Sequence, residues 1–174
     1  MNPEVTIRAL KSLPEINRGD PLHRLIVKAA RQENVDILAD DIVVVTQKIV
    51  SKSEGRIVRL KDIAPSEFAK DLARQTHQDP RLVEVRLRES HRIVRMDRGQ
   101  LITETRHGFV CANAGVDRSN VQKGFLTLLP LDPDRSAQKI KEGIRGLTGK
   151  RTAVVITDTF GRPWRLGLDR KSVV

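Results

Sequence analysis

The chain has 174 residues, 32 Lys and Arg against 22 Asp and Glu, a formal net charge of +10 and one cysteine. A chain of this length buries about 70% of its unfolded surface, and the lone Cys111 excludes both a disulfide framework and a cysteine-based zinc cage. Its N-terminal residues lack a signal-peptide apolar core, and no apolar run approaches the ~20 residues that cross a bilayer, so a soluble, cytoplasmic protein with no membrane partner is expected.

In chain order, Asp20-Pro21 opens an amphipathic helix over 20–34, with Leu22, Leu25, Ile26, Ala29 and Ala30 at helical spacing. Asp as N-cap with Pro at the first helical position explains this start and two later ones, at Asp79-Pro80 and Asp132-Pro133. Ile42 to Val45 is a short β-branched run, read as a strand covered on both faces. Helices follow over 65–78 and 80–89. His91 to Asp97 and Leu101 to Thr105 form a hairpin around Arg98-Gly99. After Asp132-Pro133, Ala137, Ile140, Ile144 and Leu147 mark a helix that Gly146 or Gly149 ends. Ala153 to Ile156 is a second covered strand. The expectation is an α/β fold with a mixed sheet and helices, undivided by any linker.

The polar segments that follow the two apolar strands are the candidate site, because ligands of open α/β sheets bind beyond the carboxyl ends of strands. The first carries Gln47, Lys48 and Lys52 with neighbouring hydroxyls, a set suited to phosphate oxygens, although no GxxxxGK[ST] or GxGxxG loop occurs. The second begins Asp158-Thr159. A further carboxylate, Asp117, lies in Cys111-Ala112-Asn113-Ala114-Gly115-Val116-Asp117-Arg118-Ser119-Asn120, whose small residues let backbone approach a ligand closely. Carboxylate and hydroxyl oxygens suit Mg²⁺ or Mn²⁺, while helix caps and turns account for the same aspartates structurally. His23, His77 and His91 fall on element surfaces, and Cys111 reads as a buried apolar residue. The positive charge alone raises nucleic-acid binding. Five scattered aromatics, Phe68, Phe109, Phe125, Phe160 and Trp164, make no stacking platform, so an anionic small substrate is preferred and no nucleic-acid partner is expected.

The strings VVVTQKIVSKSEGR (43–56), DPRLVEV (79–85), ETRHGFVCANAGVDRSN (104–120), LLPLDPD (128–134) and ITDTFGRPWR (156–165) closely resemble the coenzyme F420:L-glutamate ligase, or gamma-glutamyl ligase, family. The resemblance runs from about residue 5 to residue 167. It implies a gamma-glutamyl ligase-like fold and GTP-dependent addition of L-glutamate to the coenzyme F420 precursor, with extension of the gamma-glutamyl tail through an acyl phosphate. It also implies Mn²⁺ or Mg²⁺, K⁺ and a homodimer. Nucleotide contacts would be Leu13, Pro14, Glu15, Ile16, Gln47, Lys48, Lys52 and Asn120, and metal ligands Asp117, Asp158 and Thr159. No residue is singled out as the base for the amine. A nucleotide- and metal-dependent ligase or kinase for another anionic acceptor is the alternative. The family continues beyond Gly167, so residues 1–168 read as the N-terminal part of the ligase domain, with weak or no activity alone. Residues 169–174 read as a non-native tail, since codons of a common sequencing adapter would encode them.

Overall fold

The computed structural model describes residues 4–97 and 99–158. These residues form two compact units: one from 4–55 and 130–157, the other from 56–129 together with 158. The second unit is thus inserted into the chain of the first, which explains why no linker composition announces it. The fold is α/β, with its parallel and antiparallel pairings distributed over separate small sheets.

In the first unit, β1 (Ile42–Thr46) pairs in parallel with β7 (Ala153–Thr157), from Ile42 opposite Ala153 to Thr46 opposite Thr157. The helices α1 (Leu22–Gln32) and α5 (Pro133–Thr148) pack against each other. Their apolar stripes, Leu22, Ile26 and Val27 with Ile140 and Ile144, form a core with Ile16, Val45 and Val50, and Val43, Val154 and Ile156 pack against it. The two strands were expected to be covered on both faces. Among the described residues only one face is: Ile42 and Val44 are 65% and 64% exposed, and Val155 is 44% exposed. A continuous β-branched run fixes strand conformation, but period-two alternation still sends every second side chain away from the helices.

The second unit holds β2 (Ile57–Arg59) antiparallel to β6 (Phe125–Thr127). A three-stranded antiparallel sheet runs β3 (Ser90–Asp97), β4 (Gln100–Thr105), β5 (Val110–Ala112). The hairpin between β3 and β4 turns at Gly99, whose φ of +77° suits a residue without Cβ. Two helices, α3 (Glu67–Thr76) and α4 (Pro80–Arg88), pack together. Leu82 and Val85 of α4 enter one apolar cluster with Ala114, Val116, Leu126 and Leu128, while Val83 joins Ala69, Leu72 and Leu101 in another.

Two of the three Asp-Pro pairs cap helices as expected. Asp79 accepts from the Arg81 N–H and Asp132 from the Arg135 N–H, with Pro at the start of each helix. Asp20 does not cap α1: its carboxylate accepts the Asn17 N–H at 2.7 Å, and Pro21 is the capping residue, with no side-chain bond. The Asp20 carboxylate therefore closes the preceding turn, leaving the helix to begin at Leu22. Gly149, at φ +70°, ends α5. No helix among the described residues is long and apolar enough to cross a membrane.

Candidate functional site

The site residues of the first unit gather around α2, which spans Gln47–Ser53 and follows β1 without an intervening loop. The segment read as a polar strand-to-loop transition is thus helical, and its four-residue spacing puts Lys48 and Lys52 one turn apart. Lys48 is half-buried. Lys52 is buried, at 8% exposure, and its Nζ donates to Glu15 Oε1 in an ion pair. Gln47 is also buried: its Oε1 accepts from Ser51 Oγ at 2.8 Å, whereas its Nε2 has no acceptor among the described residues. A buried amide donor left unpaired is costly, so this atom is poised to meet an acceptor that the described residues do not supply.

The loop of residues 13–16 is brought onto this helix by alternation of its side chains. Ile16 is buried in the core beside Val50 and Leu13 packs against the same cluster, while Pro14 and Glu15 remain exposed. Two further bonds fasten the following turn to the end of α2: the Gly19 N–H donates to the Ser53 carbonyl, and Ser53 Oγ donates to the Asp20 carbonyl, both at 2.8 Å. Leu13, Pro14, Glu15, Ile16, Gln47, Lys48 and Lys52 are therefore neighbours within one unit. The arrangement offers lysine charge and an amide N–H, which suit phosphate or carboxylate oxygens.

In the second unit, Asn113, Ala114 and Gly115 take left-handed backbone conformations, with φ of 58°, 55° and 68°. The small residues here were expected to admit a ligand close to the backbone. Two of them serve packing. A Cβ on Gly115 would lie 2.8 Å from Leu129 Cγ, and Ala114 is fully buried. Asn113 Oδ1 is buried without a hydrogen-bond partner among the described residues. Asp117 exchanges backbone hydrogen bonds with Thr127, at 3.0 and 2.9 Å. Its carboxylate accepts from the Ser119 N–H at 2.9 Å and from Ser119 Oγ at 2.7 Å. This turn orients the carboxylate. Asn120 follows, exposed and at φ 56°.

Asp158 is exposed just past β7, and Thr159 lies outside the described residues, as do Phe160 to Arg165 and the tail 169–174. Among the described residues no three His, Cys, Asp or Glu side chains converge as a metal site. A Mg²⁺ or Mn²⁺ ion needs only one or two carboxylates, completed by water and substrate oxygens. The oxygen donors Asp117 and Asp158 fit that chemistry.

Sequence reasoning missed three partners. Ser51 orients Gln47 at i+4 spacing, a signal present in the string itself. The Lys52–Glu15 pair joins residues 37 positions apart, and no local pattern predicts it. Arg86, buried at 7% exposure, was hidden inside an otherwise ordinary helix.

Fold and site together define an α/β protein with a cation-bearing helix directly behind a parallel strand, an arrangement suited to an anionic ligand. The chain belongs to the F420-0:gamma-glutamyl ligase family, which it matches over residues 11–173. It is 46% identical over 163 residues to the coenzyme F420:L-glutamate ligase of Methanothermobacter thermautotrophicus, covering 94% of this chain and 65% of that protein. It is 46% identical to the protein of the same name from Methanopyrus kandleri, covering 95% and 64% of the two chains. The Archaeoglobus fulgidus ligase is 43% identical, over 94% and 64%. The chain thus spans just under two thirds of the length of these relatives.

Proposed function

We propose that the whole protein is a GTP-dependent ligase that joins L-glutamate to the coenzyme F420 precursor through an amide bond and then extends the gamma-glutamyl tail. The observation that carries this reading is the buried Lys52 on the same helix as Gln47, whose Nε2 has no acceptor among the described residues, in a chain whose relatives are named as ligases of coenzyme F420 and L-glutamate. Terminal phosphate oxygens of GTP would meet Lys48 and Lys52, and an oxygen acceptor would satisfy Gln47 Nε2. The loop at Leu13, Pro14, Glu15 and Ile16 completes the proposed nucleotide contacts of this unit.

A carboxylate is a poor electrophile, which is why activation is needed. In the proposed reaction an oxygen of the precursor's carboxylate attacks the terminal phosphorus of GTP, and the bond to the bridging oxygen breaks to release GDP. The amine of glutamate attacks the resulting acyl phosphate, loses a proton, and phosphate departs. Bringing carboxylate and triphosphate together requires cationic groups, and the two lysines act by charge and position. Asp117, Asp158 and Thr159 would hold Mn²⁺ or Mg²⁺, which supplies further charge neutralisation. A bound K⁺ and a homodimer complete the proposed assembly.

The test is to incubate protein expressed from the complete source gene with GTP, L-glutamate, precursor and Mn²⁺ or Mg²⁺. Formation of the glutamylated product with equimolar GDP and phosphate is expected. Turnover with a different acceptor but none with this precursor would favour the alternative ligase or kinase reading. Weak or no turnover is expected of the 174 residues alone.

A further inference from the structure

Arg86 has fewer partners than its burial requires. It lies on α4 and is only 7% exposed, yet a guanidinium has five N–H donors and stays charged. Among the described residues the only acceptor these donors meet is Gln78 Oε1, which takes a hydrogen bond from Nη1, and Nε is buried without one. Gln78 is itself held, because its Nε2 donates to the Gly99 carbonyl. Arg86 takes part in none of the ion pairs among the described residues.

The charge that acts on Arg86 is a second cation, Arg118. Packing accounts for their proximity: Val85 and Val116 share one apolar cluster, and α4 lies against the Asn113–Gly115 turn. Burial first, and Arg118 second, lower the Arg86 guanidinium to about 10. Asp79 also feels Arg118, but both its oxygens are engaged by Arg81, at 3.0 and 2.7 Å, and it caps α4. The cluster therefore carries excess positive charge. A desolvated cation with unused donors beside another cation is unfavourable by itself, and an oxyanion between them removes both penalties at once.

We propose that Arg86 and Arg118 form an oxyanion-binding pair that takes a substrate carboxylate. Arg118 sits between Asp117 and Ser119-Asn120 in the sequence, so the pair adjoins the candidate site residues of this unit. The planar fork of a guanidinium matches a carboxylate through two parallel hydrogen bonds. Naming the carboxylate rests on the ligase reading; the existence of the pair does not. Two sources share the chemistry: L-glutamate, and the precursor's own carboxylate.

Calorimetric titration of the full protein with L-glutamate, with precursor and with GTP, each with and without GDP where that applies, tests the pair in Arg118→Gln and Arg86→Lys. Arg118 is exposed, so its replacement leaves the fold intact. Affinity for one of the two acids is expected to fall about tenfold or more in Arg118→Gln, and whichever acid is affected identifies the source. GTP affinity stays within twofold. With no acid present, Arg118→Gln melts no lower than the wild type, since it removes a repulsion, whereas loss of a purely structural contact would lower the melting temperature. Arg86→Lys keeps the charge but not the fork and weakens the same acid. Unchanged binding of both acids in Arg118→Gln, or equal weakening of every ligand including GTP, overturns the proposal. Failure to turn over GTP while the acid still binds through Arg118 would count against the ligase reading and leave the pair standing.

Discussion

Lys52 and Glu15 show how a single contact can hold a site ready. Lys52 is buried in α2, while the Glu15 side chain that pairs with it is 77% exposed, so the ion pair joins a desolvated cation to a mobile, hydrated acid. Exposed carboxylates contribute little net stability to such pairs. Glu15 can leave Lys52 when a better anion arrives. Two outcomes follow. Lys52→Met weakens GTP binding about tenfold or more, with folding stability changed by no more than about 1 kcal/mol, because Met fills a similar volume and the Glu15 carboxylate left behind is solvated. Glu15→Gln removes the competitor and tightens GTP binding by a few-fold. Calorimetric titration of each variant with GTP, beside urea denaturation, checks both signs. Lys48, Lys52 and Gln47 were legible in the sequence as a phosphate-suited set. Glu15 entered only through family resemblance, since its contact spans distant positions.

Glu84 carries a different kind of residue-scale information. Hydrogen bonds from the Ser66 hydroxyl and the Ser66 N–H, with further help from Arg88, lower its carboxyl from 4.5 to about 2. The folded pKa is depressed, so the contribution is complete above about pH 4.5 and is lost as pH falls toward 2. A shift of this size corresponds to about 3 kcal/mol. Ser66 also caps α3 by accepting the Ala69 N–H, so protonating Glu84 loosens a helix start as well. Chemical denaturation followed between pH 5 and pH 2 will show a steep loss of stability in the wild type and a flatter one in Glu84→Gln.

At the scale of elements, the contact between α1 and α5 depends on one missing atom. A Cβ on Gly143 would lie 2.3 Å from His23 Cγ and 2.7 Å from His23 Cβ. Gly-to-Ala in an exposed helix normally gains up to about 1 kcal/mol. Here overpacking reverses the sign, and Gly143→Ala destabilises by about 1–3 kcal/mol. Adding His23→Ala to Gly143→Ala restores part of the loss, which a double-mutant cycle of denaturation midpoints reads directly. The same crowding and burial, with Arg24 nearby, keep the His23 pKa below its ordinary value. The helices themselves were readable, because apolar spacing, Asp-Pro starts and Gly149 mark them. Asp20 misled at its end of α1, because an Asp before Pro serves a turn as readily as a cap. The packing role of Gly115 was not readable, since composition cannot distinguish space left for a ligand from space filled by Leu129.

The whole molecule divides where composition shows no seam. Its first unit is closed by chain segments from both ends of the described sequence, and such a division is set by long-range pairing of β1 with β7 rather than by linker residues. The net charge of +10 was legible as a preference for anions, but its placement was not. Arg86 becomes visible as a buried, underused cation only when α4 packs beside Arg118. Family membership was legible because five long strings occur in order, whereas the metal set reaches Thr159, beyond the described residues.

The central claim is that GTP activates a carboxylate through an acyl phosphate before glutamate is added. Following heavy-oxygen label from the precursor's carboxylate during turnover by the complete protein tests this most directly. The account predicts that one labelled oxygen appears in the released phosphate for each amide bond formed. Glutamylation that proceeds without GTP, or with the expelled label appearing in water rather than in phosphate, would contradict it.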